Sequence, residues 1–154
     1  MQTATPTEAP IRGSMPSWAR RALPVACSAA LAGAAVVVAV NDPSAANSHF
    51  PGCIFHNATG LWCPGCGLTR ATHALLTGHP LQSLGYNLFT PLVLAAIILA
   101  MVSWVRVAWD RAPLVAPAAL RPWVRPLSLA APVVLVVYAV LRNIPAAPFR
   151  SLAP

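Results

Sequence analysis

Three stretches of this chain are apolar over lengths that cross a bilayer, and nothing else in it constrains the fold so strongly. They run over residues 22–40, 88–107 and 123–141. A helix needs about 20 mostly apolar residues to span roughly 30 Å of hydrocarbon. The composition agrees. Of 154 residues, 57% are hydrophobic and 8% charged, whereas a soluble domain carries about 25% charge. The expected fold is all-α: an integral membrane protein with three transmembrane helices, and a short interfacial or re-entrant helix after a Cys-Pro-Gly-Cys motif. Residues 20–150 form a single membrane domain on this reading, preceded by a Pro-, Thr- and Ala-rich tail (1–19) expected to be disordered.

Details of the spans support the assignment. Pro91 and Pro126 fall in the first turn of the second and third spans, where a missing N–H costs little. Pro132 lies inside the third and needs a neighbour to compensate it. Trp104, Trp109 and Trp123 sit near span ends, as interfacial tryptophans do. The loop 110–122 carries three prolines and reads as irregular.

Arginine placement sets an expected orientation. All ten basic residues are arginine. Arg12, Arg20 and Arg21 precede the first span; Arg106, Arg111, Arg121 and Arg125 lie at or between the ends of the second and third. Those belong to the cytoplasmic side, which leaves Arg70, Arg142 and Arg150 outside. The N-terminus is therefore expected in the cytoplasm and the long first loop outside it. A net charge of +7 does not point to nucleic acid, because the arginines flank apolar segments instead of clustering. The competing reading of residues 1–40 is a signal peptide cleaved near Ser44-Ala45-Ala46. Its apolar run of about 19 residues exceeds the usual 7–15 of such segments.

The chemistry of the chain is concentrated in the outer loop, residues 41–87. Loops of this length are commonly functional. It contains Cys63-Pro64-Gly65-Cys66, followed by a helical pattern from about Gly67 to Thr77 that Gly78-His79-Pro80 ends, and another turn of helix from Leu81 to Tyr86. On the first of these helices Cys66, Arg70, His73 and Thr77 share one stripe. Gly67, Ala71, Ala74 and Gly78 share another, small enough to admit a close helix neighbour.

The run Cys63 to Ala71 resembles the signature of a family of small bacterial multi-pass membrane proteins of unknown function. The resemblance takes in Cys53, Thr59-Gly60, Leu141-Arg142-Asn143-Ile144-Pro145 and Pro148-Phe149, about residues 50–150. Family members often have Asn-Pro entering the second span where this chain has Asn87-Leu88. The resemblance implies a membrane location and a short multi-helix architecture, with no activity, cofactor or substrate attached.

Cys27 lies within the first span and reads as a small apolar residue. Cys53, Cys63 and Cys66 share the outer loop, an odd number for disulfides in an oxidising compartment. Three readings stay open. Cys53-x2-His56 and Cys63-x2-Cys66 form two ligand pairs that suit a tetrahedral zinc site. Cys53 joined to Cys63 or Cys66 would be a structural disulfide. Cys63 and Cys66, with Cys66 leading into a helix and Arg70 one turn on, could exchange disulfides as a membrane oxidoreductase. The only acids are Glu8, Asp42 and Asp110, spread over both sides, so a paired-carboxylate mechanism within one chain is excluded. Arg70, Arg142 and Asn143 are candidates for anion or headgroup contacts on the outer side. The leading expectation is a non-enzymatic accessory or binding protein in the lipid bilayer, its outer loop held by a disulfide or zinc, packing within itself or against another membrane protein. The oxidoreductase is the alternative.

Overall fold

The computed structural model describes residues 16–146. Residues 1–15 and 147–154, among them Glu8, Arg12, Pro148, Phe149 and Arg150, lie outside the described residues. Six helices follow one another, and no strand occurs among the described residues: α1 (Ser17–Val40), α2 (Ile54–Thr59), α3 (Leu68–Leu76), α4 (Pro80–Tyr86), α5 (Thr90–Ala108) and α6 (Pro117–Arg142). Of these, α1, α5 and α6 are long and apolar enough to cross a membrane. The other three are short and surround the cysteines.

The long helices form where apolar, helix-competent residues run uninterrupted, and each is longer or shifted relative to its apolar stretch. The largest difference is in α6. It begins at Pro117, so Pro122, Pro126 and Pro132 all lie inside it. Pro126 is therefore not in its first turn, and the connection to α5 is irregular only over residues 109–116. That connection folds back on α5. The Arg106 side chain donates to the Ala112 carbonyl at 2.8 Å, and the Leu114 amide donates to the Ser103 hydroxyl at 3.2 Å.

Helix α1 packs on α5 and α3, while α3 packs on α4 and α5. The Arg20 guanidinium lies 3.3 Å and that of Arg21 3.8 Å from the Asp110 carboxylate. The start of α1 thus meets the end of α5, and the two run antiparallel. At the other end, the His73 ring on α3 meets the Val38 carbonyl of α1 at 2.7 Å. The small-residue stripe of α3 serves its expected use: Ala71 and Ala74 are fully buried, because a methyl group allows the neighbouring backbone to approach. Gly67 caps α3 in the left-handed region at φ +80°, which only glycine adopts without a steric penalty. Gly78 does the same after it, at φ +85°.

Helix α6 stands apart. Among the described residues it packs along no other helix, and only Tyr138 and Arg142 are buried on it. Its last turn is what attaches it. The Tyr138 ring meets Phe89 edge-on at 4.8 Å, and its hydroxyl accepts from the Leu88 amide at 3.3 Å. A proline at position 88 would lack that N–H, so Leu88 supplies an attachment that an Asn-Pro sequence cannot.

A candidate metal centre clamped by three side chains

The cysteine turn is built locally. Pro64 and Gly65 form its corner, and the Cys66 amide donates to the Cys63 carbonyl at 3.1 Å, which closes a four-residue turn. Proline presets φ for such a corner. The Leu68 amide then donates to the Gly65 carbonyl at 3.1 Å and leads into α3. Cys53 arrives from the other direction as the residue capping α2. Helix α2, unsignalled by any apolar period, is a single turn and a half. It ends where the Thr59 hydroxyl bonds the Phe55 carbonyl and Gly60 turns left-handed at φ +72°.

These two pieces bring three thiols together. Cys63 Sγ lies 3.1 Å from Cys66 Sγ and 3.5 Å from Cys53 Sγ, and all three sulfurs lie within 4.8 Å of one another. Each cysteine is free, at separations well beyond the roughly 2.05 Å of a disulfide. The Cys63 amide also donates to Cys66 Sγ at 3.2 Å.

The loop is not helical, so its carbonyls have no ladder to join. A buried unpaired carbonyl costs about 1–3 kcal/mol, and more where no water can reach it. Three side chains from outside the loop satisfy them. Asn143, just past α6, bonds the Trp62 backbone twice: its Oδ1 accepts from the Trp62 amide, and its Nδ2 donates to the Trp62 carbonyl, both at 2.9 Å. Asn87, between α4 and α5, donates to the carbonyls of Pro64 at 2.9 Å and Cys66 at 3.2 Å. Arg142, at the end of α6, sends Nη1 to the carbonyls of Cys66 at 2.9 Å and Cys63 at 3.3 Å, and Nη2 to that of Tyr86 at 3.2 Å. Its guanidinium also lies over the Tyr138 ring, 5.1 Å from the centroid. Arg142 is 2% exposed and Asn87 1%.

This places the residues expected from the sequence. Cys53, Cys63 and Cys66 converge. Arg142, almost fully buried, and Asn143 both bond the backbone of the cysteine loop. The His56 ring stacks on Trp62 at 3.8 Å and brings Nδ1 to the Leu61 carbonyl at 3.2 Å, beside the thiols but outside their cluster. Arg70 lines a cleft with Cys53, Cys66, His56, Asn57 and Trp62. Asn87 is the site residue that sequence reading missed. Its signal was a polar residue placed at the very entrance to an apolar span.

The three thiols are chemically distinct. The backbone amide of His56 and the neighbouring Cys66 and Cys63 thiols favour the Cys53 thiolate and lower it to about 7. Burial, reinforced by the Cys63 and Cys53 thiols, pushes Cys66 up to about 12. A cluster of this kind can exchange protons for a cation: a thiophilic ion displaces the thiol protons and takes thiolate ligands.

Comparison with known proteins adds one match. Residues 53–101 fit the family described as "Protein of unknown function (DUF2752)"; the matched segment holds all three cysteines, Asn87 and most of α5. No curated protein and no solved structure matches the chain.

Proposed function

We propose that this chain is a membrane-embedded, non-enzymatic binding or accessory protein whose outer loop is closed around a zinc ion by Cys53, Cys63 and Cys66. The convergence of the three sulfurs within 4.8 Å carries this reading. Structural zinc sites take cysteine thiolates at about 2.3 Å in tetrahedral geometry, which brings ligand sulfurs to separations of the order seen here. The clamp of Asn87, Arg142 and Asn143 supports it. Such a network fixes the backbone that presents the thiols, as partners of metal ligands do elsewhere. With His56 turned to Leu61 and Trp62, the fourth position is left to a ligand from the cleft.

The same proposal covers placement in the bilayer. The placement of Arg20, Arg21, Arg106, Arg111, Arg121 and Arg125 at or before the span ends on one side supports a cytoplasmic location for that side, with the cysteine loop on the outer side. Retention of the first span belongs to this reading, and the packing of α3 and α5 on it and the bond of His73 to its last turn support it. One observation favours the oxidoreductase as the second reading: the lowered Cys53 thiol stands 3.5 Å from Cys63 Sγ. Exchange would then start at Cys53 and not at the buried Cys66, because the thiolate is the nucleophile.

Elemental analysis of the full chain, purified in neutral detergent with no metal or chelator added, tests the proposal. About one zinc per chain, lost in Cys63→Ser, is expected. Metal-free protein with three titratable outer-loop thiols would overturn it in favour of the redox reading.

A further inference from the structure

Two guanidinium groups flank the thiol cluster, and neither has a carboxylate partner among the described residues. Of the described acids, Asp110 pairs with Arg20 and Arg21 at the opposite end of the molecule. Asp42 accepts from the Ser44 amide at 2.8 Å in its own turn. Arg142 is buried on one side of the cysteine turn with its charge met by carbonyls and the Tyr138 face. Arg70, one helical turn beyond Cys66, is half-buried and has no hydrogen bond or ion pair among the described residues. It opens onto a cleft of about 530 Å³ that it shares with Cys53, Cys66, Asn57 and Trp62. That volume is within the range of small-molecule sites.

The charges can be counted. A buried cation without an anion is unfavourable by several kcal/mol, so the buried Arg142 calls for a negative neighbour. A divalent ion held by three thiolates carries a net single negative charge, and its carrier is the turn whose carbonyls Arg142 grips. That pair is neutral. Among the described residues, Arg70 is then the one positive charge left beside the site, on the side where the cleft reaches Cys53 and Cys66. An entering ligand that restores neutrality carries one negative charge, presents a donor atom acceptable to zinc, and matches a planar guanidinium. A carboxylate meets all three conditions.

We infer that the cleft is a binding site for a carboxylate-bearing ligand, held jointly by Arg70 and the fourth position of the metal. This rests on the metal reading above. Trp62 and Phe50 line the same cleft and give the remainder of the ligand an apolar wall. The acid can come from the aqueous phase or from the membrane as a fatty acid, and its chain length separates the two.

The test uses the full chain in neutral detergent, loaded with Co²⁺ in place of zinc and titrated with sodium acetate and with sodium octanoate below its micelle concentration. A sulfur-to-cobalt charge-transfer band reports the metal, and the d–d bands report the fourth ligand. Either acid is expected to shift the d–d bands saturably. Tighter binding of octanoate identifies a membrane-derived acid, and equal binding a water-borne one. Arg70→Gln is expected to keep the charge-transfer band at full stoichiometry, which shows the site intact, and to weaken the acid by about tenfold or more, the loss set by one charge-assisted hydrogen bond. Cobalt binding with no shift from either acid overturns this inference alone. So does a shift that Arg70→Gln leaves unchanged. Absence of the charge-transfer band overturns the metal reading, and this inference with it.

Discussion

Arg142 is the side chain whose removal says most about how the cysteine loop is held. Arg142→Met keeps most of the side-chain length and deletes every donor. The wild-type guanidinium makes one short bond, to Cys66 at 2.9 Å, and two long ones, to Cys63 at 3.3 Å and Tyr86 at 3.2 Å. A hydrogen bond from a charged group is worth about 1.5–3 kcal/mol. With two of the three near the distance limit, the gross loss is about 4–6 kcal/mol. Part is returned, because methionine no longer carries a charge out of water, and because Cys66 keeps Asn87 and Cys63 keeps the Cys66 amide as partners. The net expectation is about 3 kcal/mol of destabilisation. Unfolding by increasing dodecyl sulfate in mixed micelles, followed by tryptophan fluorescence, measures it, since Trp62 sits in the loop that should detach. Arg142→Lys sharpens the test. It keeps the charge, but one ammonium lacks the planar fork that lets Nη1 and Nη2 reach carbonyls on two different segments. It should therefore recover less than half of the loss. A loss below about 1 kcal/mol in Arg142→Met, the median for an exposed ion pair, or full recovery in Arg142→Lys, would refute the clamp.

Asn87→Ala removes donors to two loop carbonyls and the acceptor of the Phe89 amide. It should cost about 2–3 kcal/mol in the same assay, with Asn87→Asp failing to rescue because a carboxylate cannot donate. Gly67→Ala forces alanine to φ +80° and should cost roughly 1–2 kcal/mol; an unchanged unfolding midpoint would show that α3 can start differently. In reduced, metal-free protein, alkylation should mark Cys53 first. Its rate should rise as pH climbs through about 7, since deprotonation produces the reactive thiolate, while Cys66, pushed up to about 12, stays unlabelled at neutral pH. Mass spectrometry of the labelled peptides decides this, and equal labelling of both would contradict the assigned environments. On intact cells, a membrane-impermeant maleimide should reach Cys53 after metal removal; labelling only after lysis would reverse the orientation.

The apolar lengths alone determined that the chain is helical with three segments long and apolar enough to cross a membrane, because a helix satisfies its backbone groups within one such segment. The spacing Cys63-x2-Cys66 determined that two thiols share one turn, and the helix after it was legible from glycines, prolines and the small-residue stripe. Those are local properties, fixed within one or two turns of chain. The register of α6 was less legible: Pro122 and Pro126 read as a loop and a helix start, yet both are interior to a helix that begins at Pro117. What only the tertiary structure decided is the use of the polar residues. Nothing in the local sequence around Arg142 and Asn143 distinguishes a headgroup anchor from a clamp; their partners lie about eighty residues away, at Trp62, Cys63 and Cys66. Asn87 looked like a span boundary and is a bracket for the Pro64 and Cys66 carbonyls. The physical reason is the same for all three. A loop that leaves the helical ladder beside an apolar environment must find donors for its carbonyls, and it finds them wherever the fold brings a side chain within reach, which no local pattern records.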